Sequence, residues 1–381
     1  MKAPFTLLIL FLAIGISSCK SDKKEKDEPV VEEEVVMVED SVLFSFSFMG
    51  CNRIDRHDVE DSVPSTANKY VLQRIFSEMT AMERKPELFF FLGDLVLAES
   101  TTQKLHDQLK AWNTLYKSDS FSKSGIELVA VPGNHEMLYS REVIENSQSE
   151  WKEFPLKGST DVWLMFMEPY MPKDREKVAS SDTLDNRLTF SFTRANAGFV
   201  VMNTDSYNPP TAENPYGVEG MIPTQWVIDK VNQYKADTAI EHIFVLGHKP
   251  YYVDGVGNTG HGGLPEGPTI WPKFQDAGVV AMLSAHLHDY QRWQPINDSL
   301  GGGTYQVIAG NGGSKGSAPF FGYSTIDIMS SGNVRLNSVG FCIGDPYTAR
   351  VPGNPTTARD STLLTWAKNP AVFVQPYNGC D

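Results

Sequence analysis

Apolar and polar positions change their spacing several times along the chain, and these changes predict alternating strands and helices. In Val42–Phe48 three phenylalanines alternate with two serines, which is the two-residue period of a strand with one buried face. Tyr70–Arg84 instead places apolar residues three or four positions apart, as an amphipathic helix does. Leu88–Leu92 is apolar throughout and therefore predicts a strand that is covered on both faces.

The same patterns predict the remaining elements and the fold class. We expect a helix over Thr101–Tyr116, strands over Ile126–Val131, Leu188–Thr193, Phe199–Met202, Ile243–Leu246 and Val279–Leu283, a helix that begins near Pro223, and several β-segments from Thr304 to Val339. Strand–helix alternation followed by a β-rich half predicts an α/β fold, specifically a two-sheet α/β/β/α sandwich.

Two long connections are candidates for shaping a binding site. Pro132 to Asp185 is long for a link between strands, so we expect it to contain helices and to border a substrate pocket. Gly255–Gly267 is too rich in glycine for a helix. We interpret it as an active-site loop, with a flexible surface loop as a nearly equal alternative.

The N-terminal segment predicts export. Lys2 precedes an apolar run, Phe5 to Ile16, that is too short to span a membrane. Ile16-Ser17-Ser18-Cys19 then resembles a bacterial lipoprotein signal in which Cys19 carries lipid; an ordinary signal peptide with an incidental cysteine is the alternative. We divide the chain into a signal peptide (1–18), a charged tether too polar to fold (19–40), a main domain (41–345) and a C-terminal extension (346–381). Anchorage in the outer membrane, facing the periplasm or the cell surface, is the expected location.

The net charge of the chain limits the classes of partner that it can bind. A formal net charge of −14 argues against a nonspecific nucleic-acid surface, because a phosphate backbone favours basic proteins. The charge does not exclude phosphate substrates, since bound metal cations can dominate a local field.

An exported protein can keep disulfides, and Cys342 and Cys380 could pair across the C-terminal segment. That pairing would leave Cys51 as an odd thiol, which needs an explanation.

Four short motifs follow predicted strands and together suggest a metal site. They are Gly93-Asp94, Gly133-Asn134-His135-Glu136, Gly247-His248 and Ala285-His286-Leu287-His288. Alone, Asp94 is as well explained by a helix cap, Asn134 by a turn, and His248 by a structural role. Together they supply a carboxylate, an amide and several imidazoles where α/β sheets place ligands. Such a set can bind a pair of divalent or trivalent metals.

This ordered set of motifs resembles the calcineurin-like metallophosphoesterase superfamily. Ala285–Arg292 and Gly310–Gly313 are similar to the purple acid phosphatase branch, and the resemblance extends over about Val42 to Val339. It implies that the main domain is a metallophosphoesterase catalytic domain with two metals. By this resemblance Asp94 would bridge both metals, Asn134, His248 and His286 would complete the second site, and His288 would bind the first. His135 would act on the leaving group or on the transferring phosphoryl.

Two departures concern the first metal. The family usually has an Asp-x-His block after the first strand, whereas this chain has Gly50-Cys51-Asn52-Arg53 and here resembles the alkaline phosphatase D group. We expect Cys51 to bind metal as a thiolate; a buried structural cysteine, with Asn52 or Asp55 as the ligand, is the alternative. Leu97 replaces the tyrosine that gives purple acid phosphatases their colour. Iron, zinc and manganese all remain compatible with the ligand set.

The expected function is hydrolysis of a small-molecule phosphoester, with Asp94 and His135 as the catalytic residues. A phosphomonoesterase resembling acid or alkaline phosphatases is the first choice. A phosphodiesterase or nucleotidase with the same metal core is the alternative, and a surface lipoprotein that binds phosphate or metal without turnover is a second. Arg53 and His261 are candidate substrate contacts, although a surface salt bridge and an exposed loop histidine explain them equally well.

Overall fold

Two β-sheets pack face to face and helices cover their outer sides, so the α/β/β/α sandwich is confirmed. The structure is a computed structural model that describes residues 40–54, 65–98, 101–145, 148–179, 185–208, 211–212, 217–260, 262–295, 303–343, 354–365, 373–376 and 380. These residues belong to one unit, Asp40–Asp381. The signal peptide, Cys19 and the tether through residue 39 lie outside the described residues, as do Asp55 and His261.

Strands outnumber helices, and both are numbered in chain order. The strands are β1 (Val42–Met49), β2 (Leu88–Leu92), β3 (Glu127–Val131), β4 (Leu138–Glu145), β5 (Gln148–Pro155), β6 (Glu176–Lys177), β7 (Phe190–Arg194), β8 (Ala197–Val201), β9 (Ser206–Asn208), β10 (Val218–Met221), β11 (His242–Leu246), β12 (Tyr252–Val253), β13 (Val256–Gly257), β14 (Val279–Ser284), β15 (Tyr290–Trp293), β16 (Tyr305–Ala309), β17 (Phe320–Met329), β18 (Val334–Cys342) and β19 (Thr357–Leu363). The α-helices are α1 (Lys69–Ala81), α2 (Thr102–Ser118), α3 (Asn134–Met137), α4 (Ser159–Met167), α5 (Thr224–Ala236) and α6 (Gly267–Ala277). Short 3-10 turns occupy Ser120–Lys123 and Glu168–Tyr170.

Parallel strands form one end of the first sheet and the centre of the second sheet, and antiparallel strands complete both sheets. The first sheet has the order β19-β18-β17-β1-β2-β3, with β1, β2 and β3 parallel. The second has the order β15-β16-β14-β11-β8-β7-β6, with β16, β14, β11 and β8 parallel. In such sheets the carboxyl ends of the parallel strands lie at one edge, which is where ligands bind.

An aromatic cluster joins the two sheets. Phe46 of β1 lies with its ring centre 5.6 Å from Phe90 in the same sheet, and 5.2 Å and 5.0 Å from Phe199 and Phe244 in the other. All three contacts are edge-to-face, the geometry that the ring quadrupole favours. A second apolar cluster, which includes Val231 of α5, fills the space between the second sheet and helices α5 and α6.

The helix starts follow the sequence predictions to within one residue: α1 begins at Lys69, α2 at Thr102 and α5 at Thr224. The Thr101 side chain caps α2 by accepting from the backbone of Lys104 at 3.2 Å. The Asn68 side chain accepts from the Val71 backbone at 3.4 Å and caps α1. Pro223 is the N-cap of α5 rather than a residue within its first turn.

The long connection after β3 differs from the expectation in content. It contains helices α3 and α4, as predicted, but also the antiparallel β4–β5 hairpin, which the sequence did not indicate. Helix α6 was also not predicted, because Pro268 and Pro272 lie within it. The Gly255–Gly267 segment is free of helix over its described residues up to Glu266, and α6 begins at its last residue.

The C-terminal part of the chain returns to the first sheet. Strand β19 pairs with β18, and a disulfide joins Cys342 to Cys380, which confirms that expected pairing. Cys51 is the free cysteine among the described residues and is buried. The boundary between the main domain (41–345) and the C-terminal extension (346–381) stays a prediction. Within the described part of the chain, no helix is both long and apolar enough to cross a bilayer.

We predict that Phe46→Ala lowers the free energy of unfolding by about 3–5 kcal/mol, because it removes a fully buried ring between the sheets. Leu43→Ala, on the same strand but at a side chain that is 52% exposed, is the matched control and should change it by less than about 0.5 kcal/mol. Urea denaturation of the two variants measures both values. Equal losses would show that Phe46 does not join the sheets in the way described.

Candidate metal centre

Six loops meet at the carboxyl ends of the parallel strands of both sheets. They follow β1, β2 and β3 in the first sheet and β11, β14 and β16 in the second. Backbone hydrogen bonds fix the loops to one another: the Cys51 N–H donates to the Gly93 carbonyl at 2.9 Å, and the Ala285 N–H donates to the His248 carbonyl at 2.9 Å. The Gly312 N–H donates to the carbonyl of Gly50 at 3.0 Å and so joins the two sheets.

Two glycines allow the loops to approach this closely. A Cβ atom on Gly93, whose φ is +86°, would lie 2.4 Å from Nδ1 of His248. A Cβ atom on Gly133 would lie 2.4 Å from Oδ1 of Asp94. Real side chains do not come so near, so packing requires glycine at both positions, and at Gly93 the left-handed backbone requires it as well.

Three of the expected metal ligands have left-handed backbone conformations. The φ angles are +57° at Cys51, +57° at Asp94 and +64° at His286. Residues with a Cβ atom rarely adopt this region, and each instance costs about 1–3 kcal/mol. Such strain concentrates at functional sites, and here it directs three side chains into one space.

Around His248 the acceptor atoms face one another. Nδ1 of His248 donates to the Leu92 carbonyl at 2.7 Å, and this assigns the lone pair to Nε2. Nε2 lies 3.1 Å from Oδ1 of Asn134 and 3.4 Å from Oδ1 of Asp94. Nδ1 of His286 lies 3.2 Å from the same Nε2. A cation among these atoms would satisfy the converging lone pairs, so this group fits the expected second metal site.

A second ligand group shares Asp94 with the first. Cys51 Sγ, a carboxylate oxygen of Asp94 and a ring nitrogen of His288 all lie within 4.8 Å of one another. Nδ1 of His288 donates to the carbonyl of Lys315, which leaves Nε2 as its ligand atom. Asp94 therefore stands between two ligand sets, as a bridging carboxylate must.

The protonation of the two buried acids depends on neighbouring charge. Burial opposes ionisation of Asp94, but the nearby His248 and His135 outweigh it and hold the pKa of Asp94 below its ordinary value. Burial and then the charge of Asp94 raise the pKa of the Cys51 thiol well above its ordinary value. A bound cation would supply the positive charge that ionisation of this thiol needs.

His135 and Arg53 also lie beside Asp94. The His135 backbone N–H donates to Oδ1 of Asp94 at 3.3 Å, and its Nδ1 donates to the Leu97 carbonyl at 3.1 Å. Burial lowers the pKa of His135 to about 4, so the ring is neutral at pH 7 and Nε2 bears its lone pair. Nε of Arg53 lies 3.6 Å from Oδ2 of Asp94. The Leu97 carbonyl thus orients the His135 ring, and the apolar Leu97 side chain offers no metal ligand.

Glu136 is a positioning residue that the sequence reasoning did not single out. Its carboxylate accepts from the backbone N–H groups of Gly133 at 2.8 Å, Asp94 at 3.1 Å and Val96 at 3.0 Å. It therefore holds the Asp94 loop and the Asn134 loop together. Burial and the charge of Asp94 raise its pKa to about 7. An acid three residues after Gly133 at a helix start is the signal that predicts such a role.

A buried lysine and three carboxylates lie on the Asn134 side of the site. The sequence patterns did not indicate them. Nζ of Lys249 lies 3.4 Å from Asp205, 3.5 Å from Glu219 and 3.8 Å from Glu153. Burial opposes its charge, but the carboxylates outweigh that effect and raise the pKa of Lys249. Oε1 of Glu153 accepts from Nδ2 of Asn134 at 2.8 Å, which assigns the Asn134 oxygen to the metal side. These acids come from distant segments, so no local pattern reveals them.

Comparisons with known proteins identify the family to which the chain is similar. A family model described as calcineurin-like phosphoesterase matches residues 57–290. No curated protein matches the chain.

Three solved structures are similar to the chain at low sequence identity, and PhoD shows the shared fold. PhoD is 14% identical with a TM-score of 0.54, and the match covers 88% of this chain and 72% of PhoD. The purple acid phosphatase PPD1 from yellow lupin (Lupinus luteus) seeds is 15% identical with a TM-score of 0.48, over 79% of this chain and 52% of the lupin protein. GAP50, described as the anchor in the inner membrane complex of Plasmodium, is 14% identical with a TM-score of 0.45, over 82% and 89%. The chain thus spans about half of the lupin protein.

We predict that Glu153→Leu weakens metal binding about 10- to 100-fold, because the Asn134 amide loses the acceptor that orients it. Competition with a chelator measures the affinity. Glu150→Leu, on the same strand at an exposed carboxylate, is the matched control and should leave the affinity unchanged. Unchanged binding in Glu153→Leu would contradict this orienting role.

Proposed function

The chain belongs to the calcineurin-like phosphoesterase family, and from this premise we propose that it is a phosphomonoesterase that acts on a small-molecule phosphoester with two bound metals. One observation supports the proposal above all: Asp94 lies within reach of both ligand groups. A carboxylate that serves two sites is needed for a metal pair and is not needed for a single structural ion.

The residues present fit two metals. Cys51, Asp94 and His288 would hold the first, and Asp94, Asn134, His248 and His286 would hold the second. The thiol of Cys51 favours iron or zinc at the first position, while the nitrogen and oxygen ligands of the second also suit manganese. When bound, the pair supplies an activated water as the nucleophile and positive charge for the phosphoryl oxygens.

His135 and Arg53 would act directly on the substrate. The negative charge of a bound phosphoester favours protonation of the neutral His135 ring, which then donates a proton to the leaving-group oxygen. Arg53 lies beside Asp94, from where its planar guanidinium can donate to phosphoryl oxygens. A contact from His261 stays a prediction from the sequence alone.

Export as a lipoprotein anchored through Cys19 is part of the proposal. The disulfide between Cys342 and Cys380 supports it, because disulfides persist in oxidising compartments such as the periplasm. Metabolic labelling with a palmitate analogue tests the anchor. Labelling that is lost in Cys19→Ala supports it, and equal labelling of both proteins contradicts it.

We predict that Asp94→Asn lowers kcat/KM for phosphomonoesters by at least about 100-fold, since it removes the charge that both metals share. Steady-state kinetics with p-nitrophenyl phosphate measures the loss. Asp229→Asn, at an exposed position of α5, should retain full activity. Near-wild-type turnover by Asp94→Asn would contradict the proposed function. Turnover of diesters or nucleotides alone would instead favour a phosphodiesterase or nucleotidase.

We also predict that Cys51→Ser lowers the metal content of the purified protein from about two ions per chain to about one, because a hydroxyl is a poorer ligand than a thiolate. Elemental analysis after purification without chelators measures it. His135→Asn should keep the full metal content and lose activity, since His135 is not a proposed ligand. Full metal content in Cys51→Ser would assign Cys51 a structural role.

A further inference from the structure

After strand β19 the chain returns to the neighbourhood of the metal centre. Residues 373–376, here called the C-terminal tie, lie against β15, the edge strand of the second sheet. The Arg292 N–H donates to the Val374 carbonyl, and the Val374 N–H donates to the Arg292 carbonyl, both at 2.9 Å. The ring centres of Phe373 and Trp293 are 6.1 Å apart. These contacts hold the tie on the strand that directly follows the His-x-His motif.

A disulfide anchors the tie to the first sheet. Cys380 lies five residues after Gln375 and is bonded to Cys342, the last residue of β18. Asp360 of β19 adds a second link between the sheets, because its carboxylate accepts from Arg292 at 2.7 Å and 3.1 Å. Such a bidentate pair fixes geometry as well as adding energy. The C-terminal chain therefore fixes β15 relative to the first sheet.

Gln375 connects the tie to the loop that carries the histidine ligands. Its Nε2 donates at 2.5 Å to Oδ2 of Asp289, the residue that directly follows His288. Asp289 is buried, and its carboxylate also accepts from the Tyr290 N–H at 2.8 Å and from Nε2 of Gln291 at 3.2 Å. Burial of a carboxylate is costly unless donors surround it, so each donor helps to fix Asp289. The donor from Gln375 comes from 86 residues further along the chain.

The loop between β14 and β15 is strained and needs support from outside. The Leu287 N–H donates to the Ala285 carbonyl and the Asp289 N–H donates to the Leu287 carbonyl, both at 2.7 Å, so two three-residue turns follow one another. The first has His286 at its centre with φ +64°, and this kind of turn is rare and strained. Such strain persists only where the surrounding structure determines it. By holding Asp289, Gln375 limits the directions of both histidine rings.

The tie also borders the cleft at the metal centre. A cavity of about 570 Å³ is lined by His286 and His288 and, on the same side of the loop, by Asp289 and Gln375. The bond between Gln375 and Asp289 therefore lies at the wall of the site and not in a remote part of the core. A change in this bond acts on the ligands with few residues between.

We propose that the disulfide-anchored C-terminal tie positions the His286-Leu287-His288 motif through Gln375 and so raises the affinity for the first metal. His288 would complete that metal position with Cys51 and Asp94, and it is the ligand next to Asp289 in the chain. This inference rests on the proposed two-metal function. Gln375 acts through Asp289, so it is a positioning residue rather than a catalytic one.

Gln375→Met tests this role, because methionine keeps the length of the side chain but has no N–H donor. We expect about tenfold weaker binding of one cobalt(II) ion, the lower end of the loss for a residue that orients a metal ligand. The full chain is stripped of metal and titrated with cobalt(II) against a chelator, which measures the affinity of each ion. Thiolate-to-cobalt absorption identifies the ion beside Cys51. Gln375→Lys keeps an N–H donor and should restore most of the affinity, which a role in packing alone does not predict.

Gln225→Met is the matched control, because Gln225 also donates to an aspartate, Asp229, at 2.8 Å, but on the exposed side of α5. It should leave both cobalt affinities unchanged. Unchanged affinity in Gln375→Met, an equal loss in Gln225→Met, or no recovery in Gln375→Lys would overturn the inference.

The anchor is tested by the double variant Cys342→Ser/Cys380→Ser, which cannot form the disulfide. It should lose about as much cobalt affinity as Gln375→Met. Adding Gln375→Met to it should cause little further loss, because all three substitutions release the same contact. Full affinity in the double variant, or losses that simply add, would refute the role of the disulfide as anchor.

Cobalt binding separates this inference from the proposed function, because it does not require turnover. Weaker binding in Gln375→Met together with no hydrolysis of any ester by the wild type would refute the proposed function alone. Hydrolysis by the wild type together with unchanged binding in Gln375→Met would refute the positioning role alone. At saturating metal the kcat of Gln375→Met should return to that of the wild type, and a lasting loss would contradict a role through metal affinity.

Discussion

The buried carboxylate of Asp94 is the constraint on which the remaining site depends. It carries negative charge in a position where burial opposes that charge, and it is stabilised by Arg53 and by the backbone N–H of His135. Both ligand groups meet at this one side chain. The left-handed conformation of Asp94, the glycine before it and the buried Glu136 beneath it all serve to hold the carboxylate in that place.

The sandwich fold brings residues that are distant in the sequence close together in space. Cys51 and His288 are far apart in the chain, yet each follows a strand whose carboxyl end lies at the same edge of the paired sheets. The aromatic contacts of Phe46 fix the spacing of those sheets. The site is therefore as rigid as the core that joins the sheets, and the strained backbone at the loops can persist because the surrounding fold determines it.

Most of the fold, and the grouping of the candidate metal ligands, could be predicted, because both depend on local patterns. Strand β2 is uniformly apolar, and glycine precedes Asp94 and His248 at the ends of buried strands. The β4–β5 hairpin could not be predicted, since much of it is exposed and charged and so has no apolar period. Lys249 and Glu153 could not be paired from the sequence either, because distant segments bring their charges together only in the folded chain.

The most direct test of the account is anomalous X-ray scattering from crystals of protein purified without chelators. Two metal peaks should lie on either side of Asp94, one next to Cys51 and His288 and the other next to Asn134, His248 and His286. Because both metals need this carboxylate, it should contact each peak. A single metal, or a pair of metals that does not share Asp94, would contradict the central claim.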